Sequence, residues 1–145
     1  MAKKNFFNWK LSDIKTPNVL PLLVNESKNM FIDNFRRQGF LDAVVEPWQE
    51  VQRRKSGTKA YKYPKNKGLS RRTSNILVRT GRLRKGIRGQ ILSKNVGIIM
   101  NTVPYAGYNN YGTKSIPKRK FIGHSSTLNK KMINLIINNK NKAFV

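Results

Sequence analysis

Cysteine is absent from the 145 residues, and histidine occurs once, as His124. Without thiols the chain cannot form disulfides or thiolate metal sites, and a single imidazole excludes a histidine-rich metal site. No apolar run approaches the ~20 residues that a membrane-spanning helix needs, and the N-terminal MAKKNFFNWK is not followed by a signal-peptide core. We therefore expect a soluble chain without metal, cofactor or membrane partner.

Acidic residues are scarce and confined to the first part of the chain. They are Asp13, Glu26, Asp33, Asp42, Glu46 and Glu50. Residues 1–50 hold 7 basic and 6 acidic residues, a net charge of +1, whereas residues 51–145 hold 23 basic residues and no acidic one. Codon usage of a low-GC genome would favour lysine, but Asp and Glu also have AT-rich codons, so it leaves their absence unexplained. A domain this basic repels itself and favours an anionic partner.

The apolar pattern predicts one α+β domain. A chain of this length can bury a core of its own. Apolar residues at helical spacing predict a long N-terminal helix between Asn18 and Gly39, and a second amphipathic helix capped by Ser125 or Ser126. Residues 91–100 predict a β-hairpin. We expect the two helices to pack on a small antiparallel β-sheet, with a long basic loop as a further feature.

Two segments lack a regular apolar pattern. Residues 1–17 predict an extended N-terminal arm, with a frayed terminus as the alternative. Residues 53–72 are rich in basic residues, Gly, Pro and Ser, which predicts a mobile basic loop. This loop would either contact phosphates, with Tyr61 and Tyr63 stacking on bases, or simply face solvent. Candidate contacts to an anionic partner are Arg53, Arg54, Lys55, Lys59, Lys62, Arg71, Arg72, Lys118 and Lys120.

Short elements with clear boundaries are predicted between the loop and the last helix. Thr80 and Gly81 interrupt an apolar turn, and a short amphipathic piece follows. Pro104 opens a helical turn that Gly112 closes. The segment IPKRKFIG predicts a short edge strand or an extended stretch, because Pro117 cannot donate to a sheet ladder.

Catalytic chemistry is not indicated by these residues. Every carboxylate precedes residue 51, and GIRGQ is too short for a phosphate-binding loop. His124 lies next to Ser125 and Ser126, but adjacent residues rarely reach the geometry that a base and a nucleophile need. Nucleic-acid binding is the stronger alternative, because cations interleave with aromatic residues, although the sequence contains no known nucleic-acid-binding module.

The predicted long N-terminal helix is followed, from Pro47 onward, by a series of short motifs in a definite order. PW precedes the basic loop, and then come ILVRTGRLRKGI, VPYAGYNNYG, IPKRKFIG and the closing amphipathic helix. Over roughly residues 20–140 this series resembles the phage virion morphogenesis family, the tail-completion or minor tail proteins of tailed phages and prophages. The matching residues are Trp48, Thr80, Gly81, Leu83, Tyr105, Ala106, Tyr111, Gly112, Ile116, Pro117, Arg119 and Phe121. Asn109 stands where the family often has histidine.

The resemblance implies a non-enzymatic structural protein that acts in tail completion or head–tail joining. It implies a homo-oligomer, arranged as a ring, that assembles in the host cytoplasm and ends in the tail or neck of the virion. The implied neighbours are other tail, neck or connector proteins, with non-specific DNA contact as a further option. A basic DNA- or RNA-binding protein of another kind is the alternative function, and a small hydrolase is a distant third.

Residues 105–123 contain most of these motif residues. We expect a packed set made of Tyr105, Ala106, Tyr111, Gly112, Ile116, Pro117 and Phe121. Lys114, Lys118 and Lys120 are expected to face outward. We expect Arg119 to be structural and to pair with one of the scarce acidic residues, such as Asp33 or Glu46, because a partly buried guanidinium needs a partner.

Overall fold

The structure is a computed structural model that describes residues 5–10, 19–63 and 74–143. These residues contain five α-helices, a short 3-10 turn and five strands. The helices are α1 (Val19–Arg37), α2 (Lys59–Lys62), α3 (Arg82–Lys85), α4 (Ala106–Tyr111) and α5 (Ser126–Ala143). The strands are β1 (Asn5–Lys10), β2 (Gly39–Leu41), β3 (Val45–Pro47), β4 (Ile87–Ser93) and β5 (Val96–Asn101). The predicted α+β class is confirmed.

An antiparallel three-stranded sheet has the order β1-β5-β4. Strands β4 and β5 form the predicted hairpin, with Lys94 and Asn95 in its turn. Strand β1 pairs along the other side of β5, so the described part of the predicted N-terminal arm is an edge strand. Strands β2 and β3 form a separate antiparallel pair, so the described strands make two small sheets where one was predicted.

Helix α1 packs its apolar face against β4, β5 and α5. Leu23, Phe31 and Phe35 are fully buried because their spacing places them on one face. The predicted stop at Gly39 is shifted by one residue, since Gln38 adopts the left-handed conformation, with φ 53°. Gly39 serves a different purpose: a Cβ there would lie 2.6 Å from the carbonyl oxygen of Glu46. The close pairing of β2 with β3 therefore requires glycine.

Helix α5 begins at a side-chain cap. The Ser125 hydroxyl accepts a hydrogen bond from the backbone N–H of Leu128 at 3.1 Å, as the sequence predicted for Ser125 or Ser126. The Asp42 carboxylate accepts from the N–H of Ser126 at 2.6 Å, so a residue between β2 and β3 also holds the first turn. Leu128 and Met132 are buried against the core.

Aromatic rings join the first half of the chain to the second. The Phe35 ring meets Trp48 edge-on at 5.5 Å between centroids and lies 5.2 Å from the ring of Phe121. Burying a side chain of this size contributes about 1.5–3 kcal/mol relative to leaving it exposed. Trp48 is therefore the buried anchor that the sequence predicted.

Residues 119–122, called the strap here, do not form a strand, contrary to one of the two predictions for IPKRKFIG: residues 119–121 have no regular secondary structure and Ile122 lies in a bend. Side-chain amides replace the neighbouring strand. The Asn110 carbonyl oxygen accepts from the N–H of Phe121 at 2.8 Å and from the N–H of Ile122 at 3.0 Å. The Asn110 amide donates to the carbonyl of Ile122 at 3.1 Å. Asn110 is buried, so one side chain satisfies three backbone groups of the strap.

The strap is also fastened from the side of α1. Buried Asn34 donates to the carbonyl of Phe121 at 3.1 Å and accepts from the N–H of Leu41 at 3.1 Å. The Trp48 indole N–H donates to the carbonyl of Lys120 at 2.7 Å. The strap thus joins α1, α4 and the segment after β3.

The basic loop begins with two short helical turns. A 3-10 turn spans Gln52–Arg54, and α2 follows with Thr58 as its cap, whose hydroxyl accepts from the N–H of Tyr61 at 3.3 Å. Residues 64–72 of the predicted loop lie outside the described residues.

Candidate functional site

Helix α4 and the residue before it present three tyrosines at the surface. Tyr105, Tyr108 and Tyr111 are 38%, 56% and 58% exposed. Their spacing of three residues places them on adjacent turns of one side, while Ala106 and Asn110 are buried on the other. The expected packing of Tyr105 and Tyr111 is therefore wrong. The physical reason is that the inner side of this short helix lies on the strap. That side carries the small Ala106 and the Asn110 amide that bonds the strap, so the tyrosines fall on the outer side.

The other motif residues of this region lie closer to expectation. Ala106 and Phe121 are fully buried, and Gly112, Ile116 and Pro117 are half-buried. The turn that follows α4 is closed by a hydrogen bond from the N–H of Thr113 to the carbonyl of Ile116 at 2.8 Å.

Gly112 brings Lys118 to the end of α4. Its φ of 78° is a left-handed value, and a Cβ at this position would lie 2.9 Å from the backbone nitrogen of Lys118. The backbone of Lys118 therefore runs beside Tyr111, and the lysine side chain is exposed. Lys114, in the intervening turn, is exposed as well. We call Tyr105, Tyr108, Tyr111, Lys114 and Lys118 the tyrosine–lysine face.

A cleft of about 290 Å³ adjoins this face. Its lining includes Asn110, Tyr111, Lys118, Lys120, Ile122 and His124. Cationic, aromatic and apolar groups thus meet at one place, and none of these lining residues is acidic.

Lys120 is bound within the chain, contrary to the expectation that it faces outward. Its ammonium donates to the carbonyl of His124 at 3.0 Å and lies 3.9 Å from the centroid of the Phe40 ring. Partial burial lowers the pKa of Lys120, and the nearby carboxylates of Asp42 and Glu46 oppose that shift. Lys118 is the exposed cation of the cleft.

Arg119 is buried, but its predicted ion pair is wrong. The side chain is 7% exposed, and Nε donates to the carbonyl of Gln49 at 3.1 Å instead of pairing with Asp33 or Glu46. Desolvation lowers the pKa of Arg119, and the field of Glu50 partly offsets it. Asp33 pairs locally with two arginines of α1 at 3.6 and 4.0 Å, since these lie one turn away.

Arg53 and Arg54, two predicted contacts for an anionic partner, are used inside the chain. Arg53 donates to the carbonyl of Ser74 at 3.0 Å, and Arg54 donates to the same carbonyl at 2.7 Å. Arg54 also donates to the Gln38 side chain at 3.1 Å and lies 3.5 Å from the Glu50 carboxylate. These guanidinium groups hold the chain beyond the loop against the end of α1.

The remaining predicted cations differ in placement. Lys55, Lys59 and Lys62 are exposed and so remain candidate contacts. Arg71 and Arg72 lie outside the described residues.

The TG-x-L motif shapes a turn and a helix start. Gly81 has φ 70° and precedes α3, and Leu83 is buried. Buried Asn101 of β5 donates to the carbonyl of Leu83 at 2.7 Å, which ties α3 to the sheet.

The sequence reasoning missed the asparagines that are buried in the described part of the chain, Asn34, Asn101 and Asn110. Asparagine is frequent in this chain, so its identity carries no signal. Asn34 could have been identified by position, because it lies between Phe31 and Phe35 on the apolar face of α1.

The chain matches no protein-family model, no curated protein and no solved structure at a significant level. Within the described residues, no helix has the length and apolar character to cross a membrane. In the same part of the chain, His, Cys, Asp and Glu form no group of three that could hold a metal ion. Functional inference therefore starts from the chain's own residues.

Proposed function

We propose that this chain is a non-enzymatic structural component of a phage or prophage virion that acts in tail completion or head–tail joining. The observation that carries the proposal is the single unit built by residues 105–123, in which α4, the Gly112 turn and the strap are fastened to α1. Trp48, Ala106 and Phe121, on which the resemblance to the virion morphogenesis family rests, lie buried in this unit or support it. The burial of these residues supports the interpretation that the ordered motifs mark one fold.

The charge distribution also supports an assembly role. The 23 basic residues of positions 51–145 would be repeated around the axis of a homo-oligomeric ring. Such a ring presents a dense positive surface to a neighbouring tail or connector protein. Electrostatic complementarity would then speed docking and fix its orientation more than it adds affinity.

Two measurements on the purified chain test this proposal. Light scattering should give masses above the monomer, and the chain should bind to tails assembled without it and make them competent to join heads. Capsid, portal and tail genes beside the coding sequence would agree with this result. A strict monomer that also fails to bind tails would contradict the proposal.

Nucleic-acid binding remains the second candidate function, favoured by the surface around α2. Lys59 and Lys62 are exposed there, and Tyr63 is 72% exposed, so cations and a stacking surface lie together. This function predicts affinity for oligonucleotides that falls steeply with salt concentration. Absence of binding at low salt would exclude it.

A further inference from the structure

We propose that the tyrosine–lysine face and its cleft form the docking site for an acidic segment of a partner protein. The inference deepens the proposed assembly role and rests on it for the partner being a protein. The first observation is the exposure of three large aromatic side chains close together: Tyr105 just before α4, and Tyr108 and Tyr111 on this helix of six residues. Tyr108 and Tyr111 are each more than half exposed, although burial of a tyrosine ring contributes strongly to stability.

Tyrosine is a residue type that protein interfaces favour. Its ring supplies a large, rigid contact area with few rotatable bonds, and its hydroxyl can donate to a carboxylate or a carbonyl. The backbone that carries Tyr108 and Tyr111 is held by the buried side of α4, where Asn110 is hydrogen-bonded to the strap. The face is thus presented on a fixed support and needs little ordering when a partner binds.

The charge of the face determines the sign of the partner. Lys114 and Lys118 are exposed, and the ion pairs found among the described residues involve neither of them. The acidic residues Asp42 and Glu46 act on Lys120, which is already engaged. A carboxylate that enters the cleft would therefore meet Lys118 as an available cation beside the phenol of Tyr111.

The cleft, with a volume of about 290 Å³, is large enough to take a side chain of a larger partner. Duplex DNA is held mainly by cations that follow its phosphates. On this face three phenols stand beside two exposed lysines, and the apolar Ile122 lines the cleft, so a protein segment with both acidic and apolar residues matches its charge and its apolar lining. Single-stranded nucleic acid would match the charge and the aromatic rings, so it is the opposing outcome of the binding test.

Binding of two matched probes tests the inference. A labelled peptide of Glu-Leu repeats represents the acidic segment, and oligo(dT) of equal charge represents single-stranded nucleic acid. Titrations are followed by fluorescence anisotropy with the full chain at physiological salt, which weakens non-specific attraction to a protein of this charge.

Two pairs of variants separate the site from the general charge of the chain. The Tyr108→Ser/Tyr111→Ser double variant is compared with Tyr63→Ser, an exposed tyrosine elsewhere. Lys118→Gln is compared with Lys94→Gln, which removes the same charge from an exposed lysine in the β4–β5 turn. We expect about tenfold weaker peptide binding for the site variants, as is usual for interface hot spots, and less than about twofold for the controls.

Three outcomes would overturn the docking site. They are equal losses in site and control variants, no binding of the peptide by the wild-type chain, and a tenfold loss for oligo(dT) with none for the peptide. The last outcome assigns the face to single-stranded nucleic acid. Circular dichroism checks that each variant is folded, and Lys118→Gln stands as an independent arm if the double variant is not.

Tail joining separates this inference from the proposed function. Failure of the wild-type chain both to associate and to bind tails counts against the proposed function. If the site variants join tails as well as the wild type, the docking site is contradicted and the proposed function is not.

Discussion

Asn110 illustrates how single residues decide this structure. Its amide bonds three backbone groups of the strap, so it supplies what a neighbouring strand would otherwise supply. Sequence reasoning gave attention to Asn109, which stands at the family's histidine position, while the structural contribution belongs to the residue after it. Nothing in the letters NN distinguishes the two, because the phase of α4 against the strap is set by tertiary contacts.

Replacing Asn110 by alanine should destabilise the protein strongly. The change leaves two N–H groups and one carbonyl of the strap buried without partners, and we expect a loss of about 3 kcal/mol in the free energy of unfolding. Urea denaturation measures it. Asn109→Ala is the matched control, with an expected loss below about 1 kcal/mol because its amide makes one exposed hydrogen bond. Equal losses in the two variants would argue against the clamping role.

Arg119 and Lys118 should differ in the same assay. Arg119→Ala removes the hydrogen bond to the Gln49 carbonyl and opens a buried space, so we expect a loss of about 1–2 kcal/mol. Lys118→Ala changes an exposed side chain and should leave stability within about 0.5 kcal/mol. Near-zero effects in both variants would contradict a structural role for Arg119.

At the scale of elements, periodic segments were predicted well. The two long helices and the β4–β5 hairpin follow from apolar spacing and turn residues, which act within a few positions. The strap was placed as an edge strand or an extended stretch, because its partners Asn34, Trp48 and Asn110 are remote in sequence or carry no local signal. The candidate site was predicted in part: Lys118 is exposed as expected, whereas Tyr105 and Tyr111 were expected to be packed and Lys120 was expected to be free.

The start of α5 should depend on pH through Asp42. Hydrogen bonds from Ser126 hold the pKa of Asp42 below its usual value, so ionised Asp42 stabilises the folded state. This stabilisation is fully present above the unfolded-state pKa, which is about 3.9, and is lost as pH falls through the lower folded-state pKa. We therefore expect Asp42→Asn to lose stability at pH 6 and to match the wild type more closely at pH near 2.

Ser125→Ala is the contrasting variant at the same helix end. It removes an uncharged cap, so its loss of about 1 kcal/mol should be the same at both pH values. Urea denaturation of the three proteins at the two pH values makes the comparison. A parallel pH response of the two variants would contradict the assignment to Asp42.

At the scale of the whole molecule, charge governs how copies meet. A net charge of +24 opposes contact between two copies, although the proposed function requires them to associate. Salt shortens the range of this repulsion, from about 10 Å at 0.1 M to about 3 Å at 1 M. An acidic partner bound at the tyrosine–lysine face would also reduce the repulsion between copies.

Self-association should therefore increase with salt. We expect the average mass from light scattering to be larger at about 1 M salt than at about 0.1 M, at equal protein concentration. Addition of the Glu-Leu peptide at the lower salt should raise the mass as well. If the mass falls as salt rises, ion pairs between copies hold the oligomer together, and screening of their repulsion does not drive association.

The strap also has a consequence for the order in which the chain folds during synthesis. Asn34, Trp48 and Asn110 are synthesised before residues 119–122. Their side-chain hydrogen bonds to the strap therefore cannot form until that later segment has left the ribosome. Until it arrives, Phe35 lacks the ring of Phe121, Trp48 lacks the carbonyl of Lys120, and the cleft beside Tyr111 has no wall of Lys120 and Ile122. An incomplete nascent chain therefore cannot present the docking site, which ties recognition by a partner to completion of the strap.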